Sequence, residues 1–305
     1  MPMDLRTLKY IVAIAEHRNL TKAAESLYVG QPTLSKSLAA VEEKLGLKLF
    51  RKVGRVYVPT GAGERYIQRA REILTLSESL DAEMADILQQ NKGELNVSFA
   101  NMRASYMLPK VLPAFARRYP NVKVNVFEGS SDENDRRLLE GTVEIAFYTA
   151  SGERDPRLEY QPLAREELLI CACENHPIRD HARKDPESGF PCLSLSPLRE
   201  TLVLMMRPEQ RTRQIVDSLL KAGGVRLERV LYTSNIHAIM GLVAAGYGVS
   251  FVFDTHLRHR ADPAPIDCYR IGRQGAFYDF VAASRKGAYI SGWGREFIET
   301  VRNCV

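Results

Sequence analysis

Apolar positions recur at helical spacing through the first sixty residues. Between Leu5 and His17, the residues Leu8, Ile11, Val12, Ile14 and Ala15 share one face of a 3.6-residue period, which predicts a helix. Asn19-Leu20-Thr21 interrupts it, and Thr21 is placed to cap a second helix over Lys22–Tyr28. Val29-Gly30-Gln31 predicts a short turn, with Gly30 supplying backbone freedom. Pro32 then stands in the first turn of a third helix, where its missing N–H matters little. That helix runs to about Lys44, burying Leu34, Leu38 and Val41 and exposing Thr33, Ser35, Lys36 and Ser37. Ala23 and Ala24 let the second and third helices cross closely, and the whole is a helix-turn-helix pattern. Leu47–Lys52 and Arg55–Val58 alternate around Gly54 and predict a two-stranded wing.

From Gly61 to Lys92 the period belongs to one long helix. Tyr66, Ala70, Ile73, Ser77, Leu80, Met84 and Ile87 alternate spacings of four and three, a heptad seam that predicts dimerisation. From Glu94 onward strands alternate with helices. Strands are expected at Leu95–Ala100, Val122–Phe127, Val143–Tyr148, Leu168–Cys173, Thr201–Met206, Arg229–Thr233 and Gly248–Phe253. Helices are expected at Met107–Arg118, Asp135–Glu140, Glu209–Ala222 and Asn235–Ala245. Such alternation predicts an α/β domain with mostly parallel sheets.

Charge sharpens this division. Residues 1–60 carry ten Lys/Arg against five Asp/Glu, which concentrates the positive surplus where a polyanion would bind. The first ten residues hold Asp4, Arg6 and Lys9 rather than an apolar leader, and no apolar run reaches the ~18 residues of a membrane span; a cytoplasmic protein with no membrane partner is expected. Five scattered cysteines argue against a disulfide framework, and Cys171-Ala-Cys173, in an apolar strand-like run, reads as buried or half-buried thiols. No nucleophile-elbow, phosphate-loop or zinc-protease motif is present, so neither catalytic residues nor a cofactor are expected. His256 and His259 lack an acidic partner at metal spacing and read as surface residues, leaving no metal site.

The runs Asn19–Leu27, Gln31–Ser35, Glu42–Arg51 and Pro59–Gly63 together resemble LysR-type regulators in order and spacing. Ser105–Pro109, Arg118–Pro120, Glu128-Gly129, Leu139–Gly141 and Val243–Val249 extend the resemblance over nearly the whole chain. It implies a winged helix-turn-helix over residues 1–60, a linker helix over 61–92, and an α/β two-lobed effector domain over 93–305 resembling type II periplasmic binding proteins. The lobes would comprise 93–163 with 267–302, and 164–266. It also implies homotetramers built as dimers of dimers, and regulation of promoter DNA through RNA polymerase.

Motif positions carried over from the resemblance assign Gln31, Pro32, Thr33, Ser35 and Lys36 to the DNA-reading helix. Gln31 can bond an adenine edge or a phosphate, Pro32 can meet a thymine methyl, and Lys36 can reach a guanine or a phosphate. Thr21 and Ser35 suit phosphates, and Arg55 falls at the wing position that enters the minor groove. Gly30 departs from the family, which often caps this helix with Ser.

The effector pocket is expected between the lobes, where helix N-termini present N–H groups and favour a small carboxylate. Its candidate residues are Asn101, Met102, Arg103, Ser130, Ser131, Tyr148 and Thr149 from one lobe, with Arg207 and Asn235 from the other. Ala100 and Met102 stand where relatives often place small hydroxyl residues, while Arg103 adds a charge. A DNA-binding regulator with no effector is therefore the alternative expectation.

Overall fold

The structure, a computed structural model, describes residues 4–54, 56–87, 93–150, 152, 154–185, 189–259 and 265–305. Arg55, expected in the minor groove, lies outside them, as do 88–92 at the predicted end of the linker helix. The chain forms two compact units: one holds residues 1–90 with 140–142 and 287–291, the other the rest.

The first unit contains α1 (Leu5–His17), α2 (Leu20–Ser26), α3 (Gln31–Leu45), β1 (Phe50–Val53), β2 (Val56–Pro59) and α4 (Gly61–Ile87). Two local expectations are corrected here. Asn19, not Thr21, caps α2: its Oδ1 accepts the N–H groups of Thr21 at 2.9 Å and Lys22 at 3.1 Å. Leu20 is buried in the helical core, so the helix starts there and the cap falls one residue before it. Nor does Gly30 make the turn. Its φ is −71°, and it caps α3 with no side-chain bond. The reversal is made by Tyr28 at φ 52°. Its N–H donates to Glu25 O and that of Val29 to Ala24 O, a paired bonding scheme that ends α2.

Ile11, Ile14, Ala23, Leu34 and Leu49 join α1, α2, α3 and the wing in one apolar core. Glu42, buried on α3, accepts from Leu49 N–H at 2.9 Å and Phe50 N–H at 3.2 Å and pairs with Lys48, which fixes the chain as it enters β1. The wing is antiparallel, Phe50 opposite Pro59 and Val53 opposite Val56. Thr60 Oγ1 donates to Lys48 O and accepts from Gly63 N–H, tying α4 to the wing. A Cβ on Gly63 would lie 1.9 Å from Leu49 O, so only glycine allows that approach.

The second unit begins with β3 (Gly93–Ala100), α5 (Asn101–Arg118), β4 (Val122–Gly129), α6 (Ser131–Glu140), β5 (Ile145–Thr149) and β6 (Leu158–Cys173). It continues with β7 (Cys192–Leu193), β8 (Leu202–Met206), α7 (Arg211–Ala222), β9 (Arg229–Thr233), α8 (Ile236–Ala244), β10 (Val249–Phe253) and α9 (Asp254–Arg258). It closes with β11 (Ile266–Ile271), β12 (Phe277–Arg285) and α10 (Gly292–Arg302). Strands follow the order β4-β3-β5-β12-β6-β10-β8-β9, with β11 on β6 and β7 on β11. The outer strands are parallel, but β6 and β12 run antiparallel to their neighbours, so the sheet is mixed rather than mostly parallel.

β6 creates the two lobes. Its residues Leu158–Glu167 pair with β12, and Leu168–Cys173 pair with β10 and β11. The chain returns between β11 and β12, and Leu168 N–H donates to Ala276 O where the crossings meet. The exchange therefore falls a few residues later than the boundaries at 164 and 267 that the resemblance implies.

Candidate DNA-reading face and effector cleft

On α3 the apolar stripe of Leu34 and Leu38 is buried, and the opposite face carries Gln31, Pro32, Thr33, Ser35 and Lys36, all exposed. These are the residue types that read a major groove: an amide, small hydroxyls and a cation at the start of one helix. Thr21 is exposed on α2. Arg51 and Lys52 add exposed cations on β1.

In the second unit a cavity of about 30 Å³ lies between the lobes, lined by Ala100, Met102, Arg103, Ser130, Ser131, Thr149, Gln210, Arg211 and Thr212. That is room for about one or two waters. Five of the nine expected residues line it: Met102, Arg103, Ser130, Ser131 and Thr149. Asn101, the first residue of α5, is exposed and is not among the lining residues.

The other three are displaced for identifiable reasons. Tyr148 alternates with Thr149 along β5, so it faces the opposite side of the sheet, where its hydroxyl bonds Asp135. Burial, then the Asp135 carboxylate, hold the Tyr148 phenol well above its ordinary pKa. Asn235 is spent as the cap of α8, accepting from His237 N–H and Ala238 N–H. Arg207 is exposed in the turn after β8, because α7 starts only at Arg211 and so presents Gln210–Thr212 to the cavity.

Arg103 departs from expectation in a different way. Expected to charge the cleft, it is almost fully buried and bidentate to Glu166, at 2.8 and 2.7 Å. It also donates to Thr149 Oγ1 and Tyr106 Oη, both at 2.9 Å, and stacks 3.9 Å above the Phe280 ring. Glu166 accepts further bonds from Thr149 Oγ1 at 3.1 Å and Thr255 Oγ1 at 2.5 Å. Burial disfavours both charges, but their attraction prevails: Arg103 is held above its usual pKa and Glu166 below. The arginine therefore offers little net charge to a ligand.

The rim is held in a similar way. Arg211 of α7 reaches Asp132 of α6 at 3.0 Å, and Gln214 Nε2 reaches the same carboxylate at 3.2 Å. At the start of α6, Ser130 N–H donates to Glu133 Oε2 while Ser130 Oγ accepts from Glu133 N–H, a capping box that occupies part of the helix terminus.

Residues 5–64 match the bacterial regulatory helix-turn-helix protein, lysR family, and residues 88–304 match the LysR substrate binding domain. The chain belongs to the LysR family. It is a DNA-binding transcription regulator with an effector-binding domain of that family. Among LysR relatives, HTH-type transcriptional regulator BudR of Raoultella terrigena is 30% identical, covering 82% of this chain and 84% of BudR. The uncharacterized HTH-type transcriptional regulator YcgK of Bacillus subtilis (strain 168) is 26% identical over 98% of this chain and 94% of its own. CbnR, a LysR family transcriptional regulator solved full-length in complex with its target DNA, is 26% identical with a TM-score of 0.59, over 99% of this chain and 100% of that one. A full-length OxyR variant from Pseudomonas aeruginosa shares the fold with a TM-score of 0.78 at 20% identity, over 100% of this chain and 96% of that one. The relatives are transcription regulators rather than enzymes. No helix among the described residues is long and apolar enough to cross a membrane.

Sequence reading of this LysR chain missed Glu166 and Thr255 as partners of Arg103, and Gln210–Thr212 as cleft residues. A signal for Glu166 existed: Glu166-Glu167 stand beside the apolar run Leu168–Cys173, where an acid needs a cation. Which cation would meet it was not readable, since Arg103 lies 63 positions away.

Proposed function

We propose that this regulator reads its operator through Gln31, Pro32, Thr33, Ser35 and Lys36, with Thr21 on phosphates and Arg55 in the minor groove. The carrying observation is the exposed polar face at the start of α3, opposite a fully buried stripe. Two such helices, paired through α4, enter successive major grooves, and two dimers assemble into a tetramer. A small-molecule effector, with a carboxylate as the first class to test, enters between the lobes and favours one arrangement of the tetramer. Differential affinity for the two arrangements then changes the DNA bend and the access of RNA polymerase. The chain acts in the cytoplasm and catalyses no reaction.

The deciding experiment is a gel shift on the promoter region beside its own gene, at stated salt, with wild type and Lys36→Ala. Wild type is expected to shift that DNA specifically. The variant should bind roughly tenfold more weakly, with a salt slope smaller by about one. Equal affinity of the two proteins would refute the contact assignment.

A second reading is favoured by the small volume of the cavity and by the Arg103–Glu166 pair beside it: a regulator that binds DNA without an effector. A thermal-shift screen of small carboxylates separates the two. A stabilised transition supports the effector, and no shift alongside intact DNA binding supports the second reading.

A further inference from the structure

The geometry points to a covalent site that the regulatory reading does not use: we infer that Cys171 and Cys268 form a reversible disulfide when hydrogen peroxide reaches the second lobe. The two residues stand directly opposite each other in the antiparallel pairing of β6 and β11. Their Sγ atoms are 3.5 Å apart. Directly opposed antiparallel residues keep Cα atoms about 4.5–5.5 Å apart, within the range a disulfide spans. Bond formation then needs the sulfurs to close by about 1.5 Å, which side-chain rotation on two fixed strands supplies.

Exposure sets the order of events. Cys171 is fully buried, while Cys268 is half-buried and is the sulfur an oxidant meets first. The Cys268 thiol attacks one peroxide oxygen, the O–O bond breaks, and a sulfenic acid and one water result. The Cys171 thiol then attacks that sulfur, the S–O bond breaks, and a second water leaves with the thiol proton. Two thiols are oxidised by two electrons in all, and the peroxide is reduced to two waters. Cys192 makes a poor competitor: burial and the Asp185 carboxylate, 3.3 Å from its sulfur, push its thiol up.

The crosslink would fall in a functional place. Cys171 packs in a cluster with Ile236, Ile239, Met240 and Val243 of α8, and Met102 packs against the same cluster. Met102 also lines the cavity between the lobes. The disulfide therefore lies in an apolar cluster against which a cleft-lining side chain packs.

The test uses the reduced full-length chain, treated with stoichiometric hydrogen peroxide, quenched with N-ethylmaleimide under denaturing conditions, digested and mapped by mass. The expected product is one crosslinked peptide pair joining positions 171 and 268, reversed by dithiothreitol, with the other three of the five cysteines alkylated. Cys173→Ser should keep the crosslink. Cys268→Ser should lose it and leave Cys171 alkylated. In Cys171→Ser, Cys268 should stop as a sulfenic acid that dimedone captures. Oxidation confined to Cys173, Cys192 or Cys304, or alkylation of both Cys171 and Cys268 after peroxide, would overturn the assignment. If Cys171→Ser does not fold, wild type and Cys268→Ser alone carry the decision.

Discussion

His256 shows how far a single side chain can depart from its sequence setting. Read as a surface residue beside His259, it is buried at 1% exposure, and neither ring nitrogen has a hydrogen-bond partner among the described residues. Its ring meets Tyr106 edge-on and lies 5.9 Å from that of His237. Burial first, then the charges of His237, Arg103 and His259, lower its pKa from 6.5 to about 4. A folded pKa below the unfolded one means a stabilising contribution fully present above pH 6.5 and lost as pH falls toward 4. The difference corresponds to about 3 kcal/mol at most. His256→Phe keeps the aromatic contacts and removes the titration. Its urea midpoint is expected to fall less than that of wild type between those pH values. An unchanged pH slope would show that the imidazole does not titrate as its burial requires.

Among the elements, α4 divides its seam between two tasks. Tyr66, Ala70 and Ile73 at its start pack with Leu8 and Val12 of α1 and so belong to the chain's own core. Farther along, Leu80 and Met84 are 56% and 44% exposed, and Leu76, one turn before Leu80, is 69% exposed. Ile87, the last seam position, has a side chain outside those described. Three large apolar side chains on successive turns make a surface that a second copy would cover. Leu80→Asp is therefore expected to weaken self-association by roughly tenfold or more in dissociation constant, measured by sedimentation, and to leave the melting of α1–α3 unchanged. Undiminished association would place the dimer contact elsewhere. The heptad spacing was legible because helical period is local. That its first half is used internally was not, since Leu8 and Val12 lie far back in the chain, on α1.

Across the second unit, Glu166 lies where the two lobes meet. It sits on β6 just before that strand exchanges partners, and it joins Arg103 on α5, Thr149 on β5 and Thr255 on α9. Glu166→Ala would leave a buried guanidinium without its counterion. The expected cost is about 3–5 kcal/mol, seen as a lowered urea midpoint for the transition of this unit. Replacing both partners, as Arg103→Met with Glu166→Met, should recover most of that loss, because two uncharged side chains need no compensation. Equal destabilisation by the double variant would mean that the bonds to Thr149, Thr255 and Tyr106 matter more than the pair itself.

Period, caps and charge are local quantities, and with the family motifs they made the helix-turn-helix, the long helix, most strands and the exposed polar face of α3 legible from the sequence. Even the cap of α2 was misplaced by only two positions, from Asn19 to Thr21. The interior of the second unit followed other rules. The direction of β6 and β12, the crossing at Glu167–Leu168, the burial of Arg103 and His256, and the pairing of Cys171 with Cys268 all join residues far apart in the chain. Such pairings depend on which strands share a sheet and which side chains meet behind it. A one-dimensional pattern carries the demand that a buried charge find a partner, but only the folded chain selects which partner meets it.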